Sequence, residues 1–264
     1  MHYLIVDMDG TLLNKEKKIS KENIKWIQKW RERGKKIILA SGRPFRLMKE
    51  YIRFLELVDE DIIICRDGQM IYKCSGELLW ESKLLSGSDY NYIVGLLPKK
   101  NIEAFTEKVD YFYIPSRFRR YKAKVLMARK DRRICVINKI NTNIEKIEKI
   151  KIASSDLESN ILKKIQESYS VHKIMNTSYE INTFGVNKFT ALCQAEQMGL
   201  IDLKKSVYLG DDYNDLECFE GIKFSVAMDN AVNDLKVKAR YVTKSNDNDG
   251  VAYAIQQLLC KKRG

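Results

Sequence analysis

Three short apolar runs in this chain end abruptly on acidic or hydroxyl-bearing turn residues, and that pattern restricts the fold more than any other feature. Tyr3–Val6 runs into Asp7-Met8-Asp9-Gly10-Thr11. Ile37–Ala40 runs into Ser41-Gly42-Arg43-Pro44, and Ser206–Leu209 into Gly210-Asp211-Asp212-Tyr213-Asn214-Asp215. A fourth run, Ile62–Cys65, precedes Arg66-Asp67-Gly68. Such runs are strand-length and, Ser206 apart, apolar, the signature of strands buried on both faces. Between the first two, Ser20 is placed to cap a helix carrying Ile24 and Ile27, and Gly34 to close it. Pro44 suits the first turn of the next helix, where its missing N–H has no partner to lose. Strands alternating with helices predict right-handed βαβ units in an α/β fold, a Rossmann-like parallel sheet covered on both faces.

The middle of the chain has a different texture, with shorter, more aromatic and more basic runs. The pattern predicts a helix over Asp89–Leu97, strands at Ile102–Glu107 and Tyr111–Ile114, and a strand near Ile150–Ala153. A helix from Asp156 to Ser168 and two strands around Val171–Thr183 complete it. The alternating pattern then resumes with a helix over Asn187–Met198, closed by Gly199. The expected organisation is a discontinuous α/β core, 1–82 and 185–264, interrupted by an α+β cap domain over 83–184.

In open α/β sheets, ligands bind just beyond the carboxyl ends of the strands. Neighbouring strands would therefore bring Asp7, Asp9, Asp211 and Asp215 together. Clustered carboxylates repel one another in a partly dry site, and a divalent cation is the natural compensation. All-oxygen ligation points to Mg2+ over zinc, and Lys188 would add a second positive charge. A calcium loop is excluded. An EF-hand opening at Asp7 would need glycine and glutamate where the chain has Leu12 and Lys18; one opening at Asp211 meets Leu216 and Ile222. The only histidines are His2 and His172, so acid–base work falls to carboxylates.

With these motifs in order, the sequence resembles the haloacid dehalogenase-like phosphatases, specifically their Cof-like sugar-phosphatase group with a type IIB cap. Asp7-Met8-Asp9-Gly10-Thr11-Leu12 resembles the first family motif, Ser41-Gly42-Arg43-Pro44 the second, Lys188 the third and Gly210–Asp215 the fourth. Val226-Ala227-Met228-Asp229-Asn230-Ala231 and Ser245-Asn246-Asp247 support the match. The resemblance implies an Mg-dependent phosphatase acting on a small phosphorylated metabolite such as a sugar phosphate. Asp7 would attack phosphorus and form an aspartyl-phosphate. Asp9 would act as general acid and then base, with a pKa raised by neighbouring carboxylates, and its backbone carbonyl would touch the metal. Asp7 and Asp211 would ligate Mg2+ directly, with Asp215 orienting ligands behind them. Ser41, the Gly42 N–H and Lys188 would hold the phosphoryl oxygens, and Asn214 would contact the phosphate or position Lys188. Arg43 and Asp67 are candidate substrate contacts. Arg66-Asp67-Gly68-Gln69 departs from the family's usual Asn-Gly-Ala and adds a charge near the site.

Composition sets the competing readings. Lysine and arginine exceed aspartate and glutamate by 12 in 264 residues, and the stretch Arg117 to Arg133 holds nine of the basic residues against Asp131 alone. That surplus suits polyanions. It could steer phosphorylated substrates, or mark a nucleic-acid- or protein-binding module on an idle scaffold, with Phe118 and Tyr121 as stacking platforms. A complete set of catalytic groups argues against idleness and against nucleic acid as the partner. Phosphosugar mutase-like transfer to a second hydroxyl is the runner-up within enzymes. No apolar run approaches the length of a membrane span, and Asp7 interrupts the first apolar stretch, unlike a secretory signal. Six cysteines without CxxC pairing read as reduced thiols in a cytoplasmic protein. Monomer and homodimer are both compatible with the sequence.

Overall fold

The computed structural model describes residues 1–106, 110–117, 119, 121, 134–137, 146–174 and 177–260. Five strands open the chain: β1 (Tyr3–Asp7), β2 (Lys36–Ala40), β3 (Ile62–Cys65), β4 (Met70–Lys73) and β5 (Leu78–Glu81). Then follow β6 (Asn101–Phe105), β7 (Asp110–Tyr113), β8 (Ile134–Ile137), β9 (Lys149–Ala153), β10 (Tyr169–Ile174) and β11 (Ser178–Thr183). The last three are β12 (Ser206–Gly210), β13 (Ser225–Ala227) and β14 (Tyr241–Val242). They form two sheets, ordered β14-β13-β12-β1-β2-β3-β4-β5 and β10-β11-β9-β6-β7-β8. The chain separates into two compact units: Met1–Ser82 with Asn187–Gly264, and Lys83–Val186.

The first unit is a mixed α/β fold with a parallel core. Strands β14 through β3 run parallel, with β1 between β12 and β2. Leu4, Ile5, Val6, Ile37, Leu39, Ile63, Ile64, Val207 and Leu209 are fully buried, as strands covered on both faces require. Register sets up the site. Val6 lies opposite Leu209 and Asp7 opposite Ala40, so Asp7, Ser41 and Asp211 leave the sheet at one edge. The sheet is not parallel throughout: β4 is antiparallel to β3, and β5 to β4. These two strands had no counterpart in the sequence reading, because their short, half-buried runs alternate too weakly to announce themselves.

Local signals around the first helix (Lys21–Arg31) act as expected. The Ser20 hydroxyl accepts from Asn23 N at 3.1 Å, and Gly34 turns the chain at φ 68. Asn23 also caps a distant element, its Oδ1 accepting from Ala252 N at 2.9 Å in the C-terminal helix (Gly250–Cys260). Pro44 stands one position ahead of expectation, at the cap of the helix Phe45–Phe54 rather than inside its first turn.

The second unit packs helices Gly87–Leu96 and Ser159–Gln166 with its own sheet around Tyr90, Ile93, Ile102, Ile150, Ile152, Ile165 and Ile181. The first of these helices starts earlier than predicted. Ser86 and Asp89 form a reciprocal capping box, a stronger start signal than the periodicity beginning at Asp89. The predicted strand end at Glu107 lies outside the described residues. So does most of the basic stretch: Phe118, Arg120, Lys122, Lys124, Arg129, Lys130, Arg132 and Arg133. Of its members that are described, Arg117, Arg119 and Tyr121 are exposed. All six cysteines are free, and no described helix is long and apolar enough to cross a membrane.

Candidate active site

The site forms where β1 and β12 end. Asp7 is the last residue of β1 and is buried; Asp211 follows the last residue of β12. Asp215 closes a short 3-10 turn (Tyr213–Asp215) and is fully buried. One oxygen from each of these three carboxylates lies within 4.8 Å of the other two.

Lys188 holds the cluster together. It is the first residue of the helix Lys188–Gln197, whose start is set by a reciprocal Asn187–Thr190 capping box. Its side chain is wholly buried, and Nζ donates to Asp7 Oδ1 at 2.6 Å and to Asp215 Oδ1 at 2.7 Å. Asp215 in turn accepts from Tyr208 Oη at 2.6 Å and from the backbone N–H of Asp211 at 2.9 Å. Asp211 accepts from Thr11 Oγ1 at 2.8 Å, while Asn230 donates to the Gly10 carbonyl at 2.8 Å. Gly10 is required twice over. Its φ is 87, and a Cβ there would lie 2.1 Å from Asp211 Oδ2.

Electrostatics follow from this burial. Burial pushes the Asp7 carboxyl well above the usual carboxylate range; Lys188 opposes that shift, and Asp215 and Asp211 add to it. Asp211 is pushed up to about 7, chiefly by burial and the charge of Asp215, against the Thr11 hydrogen bond. Burial alone would lower the Lys188 ammonium, but Asp215, Asp7 and Asp67 outweigh it and hold it well above the ordinary lysine value. Two buried carboxylates, Asp7 and Asp215, and the half-buried Asp211 face one ammonium, so ionising all three leaves negative charge that Lys188 alone does not balance. The donors there are hard oxygens, and a hard divalent cation would supply the missing charge.

Asp9 departs from expectation. Its carboxylate is not part of the cluster of Asp7, Asp211 and Asp215; it is taken up by two cations. The Arg43 guanidinium forks onto it at 2.6 and 2.7 Å, and Lys17 Nζ donates at 2.7 Å. Tyr51 Oη braces the clamp, accepting from Arg43 at 3.2 Å and donating to the Lys17 carbonyl at 3.2 Å. Burial would raise the Asp9 carboxyl, yet the hydrogen bonds from Arg43 and Lys17 prevail and bring it down to about 2. The neighbours expected to raise it were carboxylates; those it has are cations.

Ser41 is buried, its Oγ accepting from Arg43 N at 3.1 Å. The Asn214 side chain donates to Asp67 Oδ1 at 3.0 Å. Sequence reasoning assigned no role to Lys17, Thr11, Tyr208 or Asn230. Thr11 and Asn230 lie inside recognised motif stretches, but nothing around Lys17 or Tyr208 marks them.

Comparison with known proteins places the chain in a family. The model of the haloacid dehalogenase-like hydrolases matches residues 4–255. The chain belongs to that family. The 5-amino-6-(5-phospho-D-ribitylamino)uracil phosphatase YcsE of Bacillus subtilis is 27% identical over 263 residues, 97% of this chain and 95% of the relative. A second Bacillus subtilis protein of that activity, YwtE, is 28% identical over 298 residues, 98% of each chain. A haloacid dehalogenase-like hydrolase from Bacteroides thetaiotaomicron has a crystal structure with TM-score 0.79 and 25% identity, covering 97% of this chain and 98% of its own.

Proposed function

We propose that this chain is a magnesium-dependent phosphatase of small phosphate monoesters, acting through an aspartyl-phosphate on Asp7. The observation that carries the reading is the wholly buried Lys188 ammonium shared between Asp7 and Asp215, with Asp211 in the same cluster. A lysine dehydrated this completely, at the end of two parallel strands, is placed to meet an anion.

In this reading Asp7, Asp211 and the Asp9 backbone carbonyl would hold Mg2+, with Asp215 fixing their orientation. When bound, the ion lowers the charge on the phosphoryl oxygens and on the attacking carboxylate. An Asp7 oxygen attacks phosphorus while the bond from phosphorus to the ester oxygen breaks, and Asp9 gives its proton to the departing alkoxide. Water then attacks the aspartyl-phosphate, Asp9 takes a proton from that water, and inorganic phosphate leaves with Asp7 regenerated. Ser41, the Gly42 N–H, Lys188 and Asn214 steady the phosphoryl oxygens throughout. Held by Arg43 and Lys17, Asp9 is ionised and suited to the second step. The first step requires those cations to turn their donors to the substrate, so that Asp9 can arrive protonated. The inserted segment 83–184 is assigned the selection of the leaving group, and the expected site of action is the cytoplasm.

The test is phosphate release from a panel of esters in Mg2+ and in EDTA. The panel should contain sugar phosphates and, given the relatives' activities, 5-amino-6-(5-phospho-D-ribitylamino)uracil. Release that depends on Mg2+ supports the reading. Absence of release from every ester, with the protein folded, sinks it.

A further inference from the structure

The loop after β3 holds an acid against the groups assigned to phosphate. Arg66 and Asp67 both adopt left-handed backbone, φ 54 and 53, before Gly68 at φ 100. Two successive non-glycine residues in that region cost on the order of 1 kcal/mol or more each, so the surrounding structure must hold them there. It does so from two sides. Arg66 N donates to the Arg43 carbonyl and Asp67 N to the Ser41 carbonyl, each at 3.1 Å. Gly68 lies so close to the start of the Lys188 helix that a Cβ would fall 2.0 Å from the Asn187 carbonyl oxygen.

The result is a specific placement of the Asp67 carboxylate. A Cβ on Gly42 would lie 2.8 Å from one of its oxygens, so the carboxylate rests directly on Gly42. Its other oxygen takes the Asn214 amide at 3.0 Å. It is also near enough to Lys188 to help hold that ammonium charged. Two groups assigned to the phosphoryl oxygens, Asn214 and Lys188, thus already face an anion supplied by the protein, and that anion packs on the Cα side of Gly42.

We propose that Asp67 competes with phosphate for the Asn214 amide, for the space beside Gly42 and for the field of Lys188, and so weakens retention of the phosphate product. The inference rests on the phosphatase reading and adds to it a residue that sets how tightly the anion is held. A seated phosphoryl group would share these donors with a like charge a few ångströms away. Removing that charge favours the anion by about tenfold to a hundredfold in affinity.

The experiment is calorimetric titration of inorganic phosphate into wild type, Asp67→Asn and Asp67→Gly in Mg2+-containing buffer, beside turnover of p-nitrophenyl phosphate by wild type. Both replacements tolerate left-handed backbone, and melting curves verify that each is folded. Asparagine keeps an acceptor for Asn214 and glycine does not, so an effect common to both belongs to the charge. The expected result is phosphate binding at least about tenfold tighter in both variants. If wild type turns over the ester but neither variant binds phosphate more tightly, the role of Asp67 is overturned and the phosphatase reading stands. If wild type neither turns over the ester nor binds phosphate, the role of Asp67 is overturned, and absence of release from the whole ester panel overturns the phosphatase reading with it.

Discussion

The Lys188 ammonium lies 2.6 Å from Asp7 Oδ1, with no part of its side chain open to solvent. An ion pair this dry is held by its partners, because removing one charge strands the other in a low dielectric. Replacing Lys188 with methionine keeps the volume and removes the charge. We expect kcat/KM to fall by a factor of at least about a thousand, comparable to the loss of a transition-state donor, and the melting temperature to fall as well. Steady-state kinetics and calorimetry together measure this; a variant with near wild-type kcat/KM would place the lysine outside the chemistry.

Asp7→Asn should behave differently in the two assays. Phosphate release should vanish, because an amide cannot form the phosphoryl intermediate. Melting in EDTA should be little changed, because relieving one of three crowded carboxylates offsets the lost charge partner, and Asp215 still pairs Lys188. Persistent release would refute Asp7 as nucleophile.

Metal-free stability should fall as pH rises. Asp211 titrates near 7 in the folded protein against about 4 when unfolded. A raised carboxyl contributes stability below the unfolded value and loses it as pH climbs through the folded one. Between about pH 4 and 7 the melting temperature in EDTA should therefore decline, and Asp7, also raised, adds to the decline. A cation that binds only the ionised folded site opposes this by mass action. Mg2+ should raise the melting temperature far more at pH 8 than at pH 5. Equal shifts at both would argue against carboxylate ligation.

Gly10→Ala probes the same corner without touching charge. Its Cβ would displace the Asp211 carboxylate and demand a left-handed alanine. We expect Mg2+ affinity by titration to drop by about tenfold or more, with the sheet intact by circular dichroism. Retained affinity would mean that Asp211 is not a ligand.

The Arg43 fork can be tested apart from turnover. In Arg43→Met, the Asp9 carboxyl should rise from about 2 toward the ordinary value near 4, read by carbon-detected titration of labelled aspartate. No movement would assign the whole depression to Lys17.

Much of this was legible in the chain itself. Tyr3–Val6, Ile37–Ala40 and Val207–Leu209 carry no charged or strongly polar side chain, a pattern that suits doubly covered strands. Each ends on the residues that reach the site, so Asp7, Ser41 and Asp211 could be placed at one sheet edge in advance. The helix over Lys188–Gln197 and the cap at Ser20 rest on signals within a few residues, which sequence also carries. The hairpin of β4 and β5 was missed because half-buried edge strands impose little pattern.

Residue types and their order along the chain thus determined the α/β core and the acids and the lysine that meet at its edge, since burial on both faces and strand-end turns leave a local imprint. Side-chain partners were decided only by the tertiary structure. That Asp9 lies under Arg43 and Lys17 while Asp7 lies against Lys188 cannot be read from two aspartates separated by one methionine. Adjacent residues leaving a strand point to opposite sides, but residues two apart part company only through the turn at Gly10 and the loop that sets Lys17 at φ 60. The Asp67 carboxylate has the same origin: its position on Gly42 comes from left-handed backbone that no composition or periodicity encodes.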